Sequence, residues 1–266
     1  MFELISNNNL KYYKIPAFEE TGLVKHSFTT RMGGVSEGEF SSMNLRFNCS
    51  DLRENVLKNF EIICTEIDIN YKDLVLSNQV HEKNVVKVTK EDRGNGIIFP
   101  NKFESADALI TGEKNVPLVT FFADCVPVFF LDKKELVIAL AHSGWKGTIK
   151  NISGAVLEKF IKEFDSEPQN IIAAIGPAIG VCCFEVGDDV AEIFFERFGD
   201  AVLQKYKDRW HVNLEKAVYI ELTEGGIPEK NITASGICTC HNSDLLFSHR
   251  KTKGKRGNLA AFLELC

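Results

Sequence analysis

The chain has 266 residues, 44% of them apolar, with Lys+Arg 31 against Asp+Glu 37 and a net charge of −6. That length suits one large core, and the mildly acidic balance offers no positive field to hold a polyanion, so nucleic acid is not the expected partner. Val116 to Leu131, the longest nearly apolar stretch, is broken by Asp124 and Pro127 and falls short of the roughly 20 residues of a membrane helix.

In chain order, the first strand signal is Leu23–Thr29. Asp51-Leu52-Arg53-Glu54 has capping-box spacing, and Val56, Phe60, Ile63, Cys64 and Ile67 then recur on one helical face. Strand signals follow at Asn84–Val88, Ala108–Thr111, Leu118–Ala123, Val126–Leu131 and Leu136–Ala141. A helix is expected from Thr148 to Phe164, a strand at Ile171–Ile175 and a helix from Gly187 to Phe198. Another helix is capped by Asn213 and stopped by Gly225-Gly226, and Leu259–Leu263 is the last strand. Several strands are continuous apolar runs, as in strands buried on both faces. Asp132-Lys133-Lys134 is too short for a helical crossover, so its flanking strands should form a hairpin. The expected fold is one α/β domain, residues 1–266, with a mixed parallel and antiparallel sheet core covered by helices. The N-terminus has no signal-peptide design, and eight Cys in irregular spacing read as reduced thiols in a cytoplasm.

Three residues able to ligate a metal stand where apolar runs begin or end. They are His81 in Asn78-Gln79-Val80-His81, Cys125 in Ala123-Asp124-Cys125-Val126-Pro127, and His142 in Ala141-His142-Ser143-Gly144-Trp145-Lys146-Gly147. Strand ends let a rigid scaffold aim side chains at a common point, and the hairpin draws Cys125 toward His142. Two imidazoles and one thiolate with a fourth position open form a ligand set of catalytic zinc, which activates water near neutral pH. The competing reading is a buried Cys, a satisfied core His and a surface His. Copper suits the same ligands, but only Met1, Met32 and Met43 are present as axial donors, and six His cannot furnish a multicopper cluster. A third reading makes Cys125 a nucleophile with His142 or His81 as its base.

Gly144-Trp145-Lys146-Gly147 leads into a helix whose N-terminal amides favour an anion, with Lys146 as a point charge. Gly176-Pro177-Ala178-Ile179-Gly180 offers a similar backbone cradle without the Lys-Ser/Thr of a P-loop. Both also read as tight turns. Arg31, Ser42 and Asn44 lie in or beyond a polar Gly-containing loop, and Arg250 opens the basic run to Arg256. With Lys146 these are the candidates for a substrate hydroxyl or phosphate, against the plainer reading of surface loop and solvated face. Cys238-Thr239-Cys240-His241 has the composition of a second metal motif but is too crowded for a tetrahedral site without distant help. It reads as buried thiols, and the adjacent Cys182-Cys183 suit no structural disulfide.

Together these segments resemble the YfiH/YlmD family, once called multicopper polyphenol oxidoreductases or laccase-domain proteins. Further marks are Thr29-Thr30-Arg31-Met32-Gly33-Gly34-Val35-Ser36, Ser105-Ala106-Asp107-Ala108, Cys183-Phe184-Glu185-Val186 and Phe247-Ser248-His249-Arg250, so the likeness spans nearly the whole chain. The resemblance implies a mixed α/β fold and a zinc held by His81, Cys125 and His142, which would be the catalytic residues. It implies phosphorolysis of adenosine, inosine and S-methyl-5′-thioadenosine, and hydrolytic deamination of adenosine. The implied partners are a purine nucleoside and phosphate, with no nucleic acid and no membrane. Some members are linked instead to editing of peptidoglycan precursors, the setting for a Cys-dependent hydrolase; a non-catalytic zinc module is the remaining alternative. The chain departs from the family in Ser143 and Lys146, where Ala and Arg are usual. It departs again in Phe184 for Tyr and in Phe-Ser-His-Arg-Lys for Phe-Ser-Tyr-Arg-Arg. Lys keeps the charge of Arg but loses the planar fork that grips phosphate.

Overall fold

A computed structural model describes residues 1–266. Its strands are β1 (Glu3–Asn7), β2 (Leu10–Lys14), β3 (Val24–Thr29), β4 (Val75–Leu76), β5 (Val85–Lys87), β6 (Ala108–Thr111), β7 (Leu118–Phe122) and β8 (Val126–Asp132). They continue with β9 (Val137–Ser143), β10 (Ile171–Ile175), β11 (Glu185–Val186), β12 (Leu203–Tyr206), β13 (Arg209–Val212), β14 (Ile232–Ala234) and β15 (Leu259–Leu265). The helices are α1 (Pro16–Glu19), α2 (Arg53–Glu66), α3 (Trp145–Ile149), α4 (Ile152–Phe164), α5 (Asp188–Phe198), α6 (Leu214–Glu224) and α7 (His249–Thr252).

The core is two sheets, not one. Six strands in the order β1-β2-β3-β15-β7-β4 face six in the order β14-β10-β8-β9-β6-β5, and β11-β13-β12 form a small third sheet. Both large sheets are mixed: β4–β7, β5–β6 and β10–β14 pair in parallel, the other neighbours antiparallel. The continuous apolar runs explain the layering, because each face of a strand feeds a different core. In β15, Leu259, Ala261, Leu263 and Leu265 enter the core between the sheets, while Ala260 and Phe262 meet Phe60 and Ile63 of α2. In β8, Phe129 and Leu131 face the inter-sheet core, whereas Val126, Val128 and Phe130 pack with Val156 and Phe160 of α4 and Val218 of α6. Helix, sheet, sheet and helices therefore stack as four layers.

Two expected helix boundaries are corrected. Asp51 does not cap α2; its carboxylate accepts from Ser36 Oγ and Asn44 Nδ2, and the cap position falls on Leu52 without a side-chain bond. The helix expected from Thr148 to Phe164 is two, because Asn151 adopts φ +59 between them and its Oδ1 accepts from Gly154 N at 3.0 Å. Asn213 does cap α6, accepting from Lys216 N, and α6 ends before Gly225. No helix is long and apolar enough to cross a membrane.

Candidate metal centre

β8 and β9 form the expected hairpin. Its register, with Pro127 opposite His142 and Val126 opposite Ser143, brings Cys125 to the open end beside His142. His81 arrives from the segment joining β4 to β5, which is fastened at several points. Gln79 Nε2 donates to Phe121 O and Gln79 Oε1 accepts from Phe121 N, each at 2.8 Å. Asn78 Nδ2 donates to the carbonyls of Phe103 and Glu104. His81 itself stands at φ +62, a left-handed conformation that a β-branched residue would resist.

Asp107, fully buried at the entry to β6, holds both histidines. Its Oδ1 accepts from the His81 amide at 2.9 Å, and its Oδ2 from the amides of Val80 at 3.3 Å and Glu82 at 2.9 Å. His142 Nδ1 lies 3.2 Å from Oδ1. Burial opposes ionisation of this carboxyl, but His142 and the backbone amides outweigh it and hold it below the usual carboxylate range. An ionised carboxylate only accepts, so Nδ1 keeps its proton and Nε2 is the nitrogen left to bind a metal once its own proton has gone, the usual support of a metal-binding imidazole.

The ligand atoms of His81, Cys125 and His142 all lie within 4.8 Å of one another. Tetrahedral zinc, at about 2.3 Å from sulfur and about 2.0–2.1 Å from nitrogen, sets such atoms roughly 3.3–3.6 Å apart. The donor set therefore closes on an ion with small adjustments. A Cβ on Gly144 would stand 2.8 Å from His81 Nδ1 and 3.2 Å from Cys125 Sγ, so only glycine leaves the ligands their space. Electrostatics favour the same chemistry. Burial raises the Cys125 thiol, yet the neighbouring His142 and His81 overcome this and bring it down to about 6. Burial lowers His142, but Cys125 and Asp107 carry it up to about 9. Without a metal the pair is a thiolate beside an imidazolium.

The centre lines a cleft of about 830 Å³, together with Phe47, Phe99 and Phe121 and three arginines, Arg46, Arg53 and Arg256. Arg256 donates to Gly257 O and the Asn258 side chain and lies 3.4 Å from His249 Nδ1, with no carboxylate among these contacts. Burial, then the charge of Arg46, pulls its guanidinium below its ordinary value. Arg53 instead lies 4.7 Å from the centre of the Phe47 ring.

The structure places the expected substrate residues as follows. Asn44 is buried and ties the two arginine segments together, its Oδ1 accepting from Arg46 N and from Asn258 N, each at 3.0 Å. Arg31 donates to the carbonyls of Ser41 and Ser243 over the Phe247 ring, and Ser42 Oγ donates to Arg31 O. Lys146 lies over Trp145. Arg250 donates to the carbonyls of Cys183 and Glu185. None of these five is among the residues lining the cleft. Sequence reasoning missed Asp107, although a carboxylate entering an apolar strand in Ser105-Ala106-Asp107-Ala108 was a signal of a buried, partnered charge. It missed Arg46, and from the basic run, read as a solvated face or a small-anion site, it named Arg250 and not Arg256.

Residues 25–266 match the family described as multi-copper polyphenol oxidoreductase laccase. The protein named purine nucleoside phosphorylase YlmD from Bacillus subtilis (strain 168) is 35% identical over 240 residues, spanning 89% of this chain and 86% of the relative. A purine nucleoside phosphorylase from Bacteroides thetaiotaomicron is 31% identical over 246 residues, 89% of each chain. The crystal structure of the hypothetical protein YfiH from Bacillus licheniformis superposes with a TM-score of 0.92 at 32% identity, covering 99% of both chains. That of YlmD from Geobacillus stearothermophilus gives 0.91 at 30%, covering 100% of this chain and 99% of the other.

Proposed function

This chain belongs to the multi-copper polyphenol oxidoreductase laccase family, and on that premise we propose that it is a zinc-dependent purine nucleoside phosphorylase. Its substrates in this reading are adenosine, inosine and S-methyl-5′-thioadenosine. The observation that carries it is the meeting, in one cleft, of a three-ligand centre and the Arg46–Arg256 pair.

Two guanidinium groups lining one cleft, one of them feeling the charge of the other, favour an anion there, and a planar fork suits phosphate. Arg46 and Arg256 hold phosphate, and the Phe47 and Phe121 walls face the flat purine. A phosphate oxygen bonds to the anomeric carbon as the glycosidic C–N bond breaks, its electron pair leaving with the base. His81, Cys125 and His142 would hold the zinc, which when bound would supply Lewis acidity to stabilise developing negative charge. Asp107 keeps the His142 proton at Nδ1 throughout. Hydrolytic deamination of adenosine belongs to the same reading.

Copper oxidase chemistry remains disfavoured, because the centre of His81, Cys125 and His142 contains only two His. A second reading, Cys125 as the nucleophile of an amide or thiol hydrolase, is favoured by the lowered thiol beside His142. Zinc-replete protein incubated with each nucleoside, with and without phosphate, should release base only with phosphate. Arg256→Ala should keep its zinc and raise the phosphate KM about 10–100-fold, the value of a hydrogen bond to a charged group. Absence of phosphate-dependent base release sinks the phosphorylase reading. Cys125→Ser should lose zinc; keeping metal while losing only a covalent intermediate supports the nucleophile.

A further inference from the structure

The chain has a second meeting of soft ligands, assembled from two distant segments. Cys182 and Cys183 follow the Gly176–Gly180 turn, while Cys238 and His241 belong to the crowded Cys-Thr-Cys-His run. Their ligand atoms all lie within 4.8 Å of one another. The distant help that the run lacked thus comes from the adjacent pair that suited no disulfide, and all eight cysteines are free thiols. We propose that Cys182, Cys183, Cys238 and His241 form a second, closed site for a zinc-type divalent cation.

Three thiolates and one imidazole are a ligand set of structural zinc. Cys182 Sγ lies 3.4 Å from His241 Nδ1, close to the roughly 3.6 Å edge that a tetrahedral ion imposes between sulfur and nitrogen. The surroundings are arranged for sulfur. Gly180 N donates to Cys238 Sγ at 3.2 Å, the backbone support given to a metal-bound thiolate. A Cβ on Gly180 would stand 3.1 Å from Cys182 Sγ and 3.4 Å from Cys238 Sγ, so the glycine turn makes room for the sulfurs as Gly144 does at the first centre. Both ligand segments are held from outside. Arg250 Nη1 donates to Cys183 O at 2.9 Å, and His211 Nδ1 lies 2.7 Å from Val181 O. Between the two ligands of the second segment, Thr239 Oγ1 donates to Asp124 Oδ1 at 2.6 Å, next to Cys125. Four protein ligands leave no open position, so the site clamps the turn to the segment that leads on to Arg250 and Arg256.

The test uses the full chain, produced in zinc-supplemented medium, kept reduced and dialysed, with zinc measured by elemental mass spectrometry. Two zinc ions per chain are expected. His241→Ala and Cys182→Ser, both at exposed positions, should each lose one ion and keep the other. His81→Ala should lose the opposite one, and His241→Cys should restore full loading. Cys240→Ser should leave loading unchanged, since Cys240 is not among the four. With cobalt in place of zinc, His81→Ala should retain an intense thiolate-to-metal charge-transfer band, weakened by the added Cys182→Ser. One ion per chain that disappears in His81→Ala and is untouched in His241→Ala overturns the site. So does a disulfide between Cys182 or Cys183 and Cys238 in protein purified without oxidant, seen as the loss of two hydrogens in its intact mass.

Discussion

Asp107 spends its acceptor capacity on three backbone amides and one imidazole, fixing the His81 turn and the His142 tautomer with a single carboxylate. Asp107→Asn keeps the shape but brings an NH2 group against donors. Zinc affinity should fall about 10–100-fold, read by chelator competition; an unchanged affinity would mean that packing alone orients His142. The ligands also set a pH dependence. Cys125, lowered to about 6, is a thiolate above that pH, whereas His142, raised to about 9, stays protonated below it. Between these values one proton must leave His142 as zinc enters. Apparent zinc affinity at this centre should climb about tenfold per pH unit across the window and flatten above it. Chelator competition from pH 6 to 10 with His241→Ala, which isolates the centre, checks the slope. The residue types at this centre were legible because His81, Cys125 and His142 interrupt apolar runs. Arg46 and Arg256 were not, because an arginine in a polar segment looks the same whether it faces solvent or a cleft.

Local periodicity served the strands better than the helix ends. Ala108–Thr111 and Ile171–Ile175 are strands at the expected boundaries, since these short apolar runs are stopped by Gly112 and by Gly176-Pro177 before they could complete a helix. The division between α3 and α4 was hidden, because the apolar spacing of Ile149, Ile152, Val156 and Phe160 continues through Asn151. Its backbone leaves the helical region while its side chain caps the next turn. α6 carries a different hidden feature. Glu221 points inward with its side chain 0% exposed and Arg197 Nη2 at 3.5 Å. Burial pushes its carboxyl up to about 8, against the opposing pull of Ser153 and Arg197. A carboxyl raised from about 4.5 binds its proton more tightly in the folded state, so stability falls as pH rises between those values, by at most about 1.4 kcal/mol per pH unit. Glu221→Gln has no charge to bury. It should match the parent near pH 5 and exceed it by a few kcal/mol near pH 8 (about 2–4) in urea denaturation. A parent equally stable at pH 8 would contradict this.

The whole molecule depends on the inter-sheet core, where Phe129 meets the edges of Phe2 and Phe18 at centroid distances of 6.5 and 6.3 Å. Phe129→Ala should cost about 3–5 kcal/mol in chemical denaturation, with zinc stoichiometry retained in the folded protein; a loss below about 1 kcal/mol would place the core elsewhere. The sequence by itself determined the mixed α/β class, the hairpin that brings Cys125 to His142, and the supply of soft ligands. All of these follow from periodicity, loop length and residue chemistry acting over short spans. Only the tertiary structure decided that there are two facing sheets, that Asp107 serves both histidines, and that Arg46 and Arg256 share a cleft. It also decided that Cys182 and Cys183 meet Cys238 and His241. These meetings join residues dozens to hundreds of positions apart, and they are set by which faces of the strands bury together, a choice that no local pattern records.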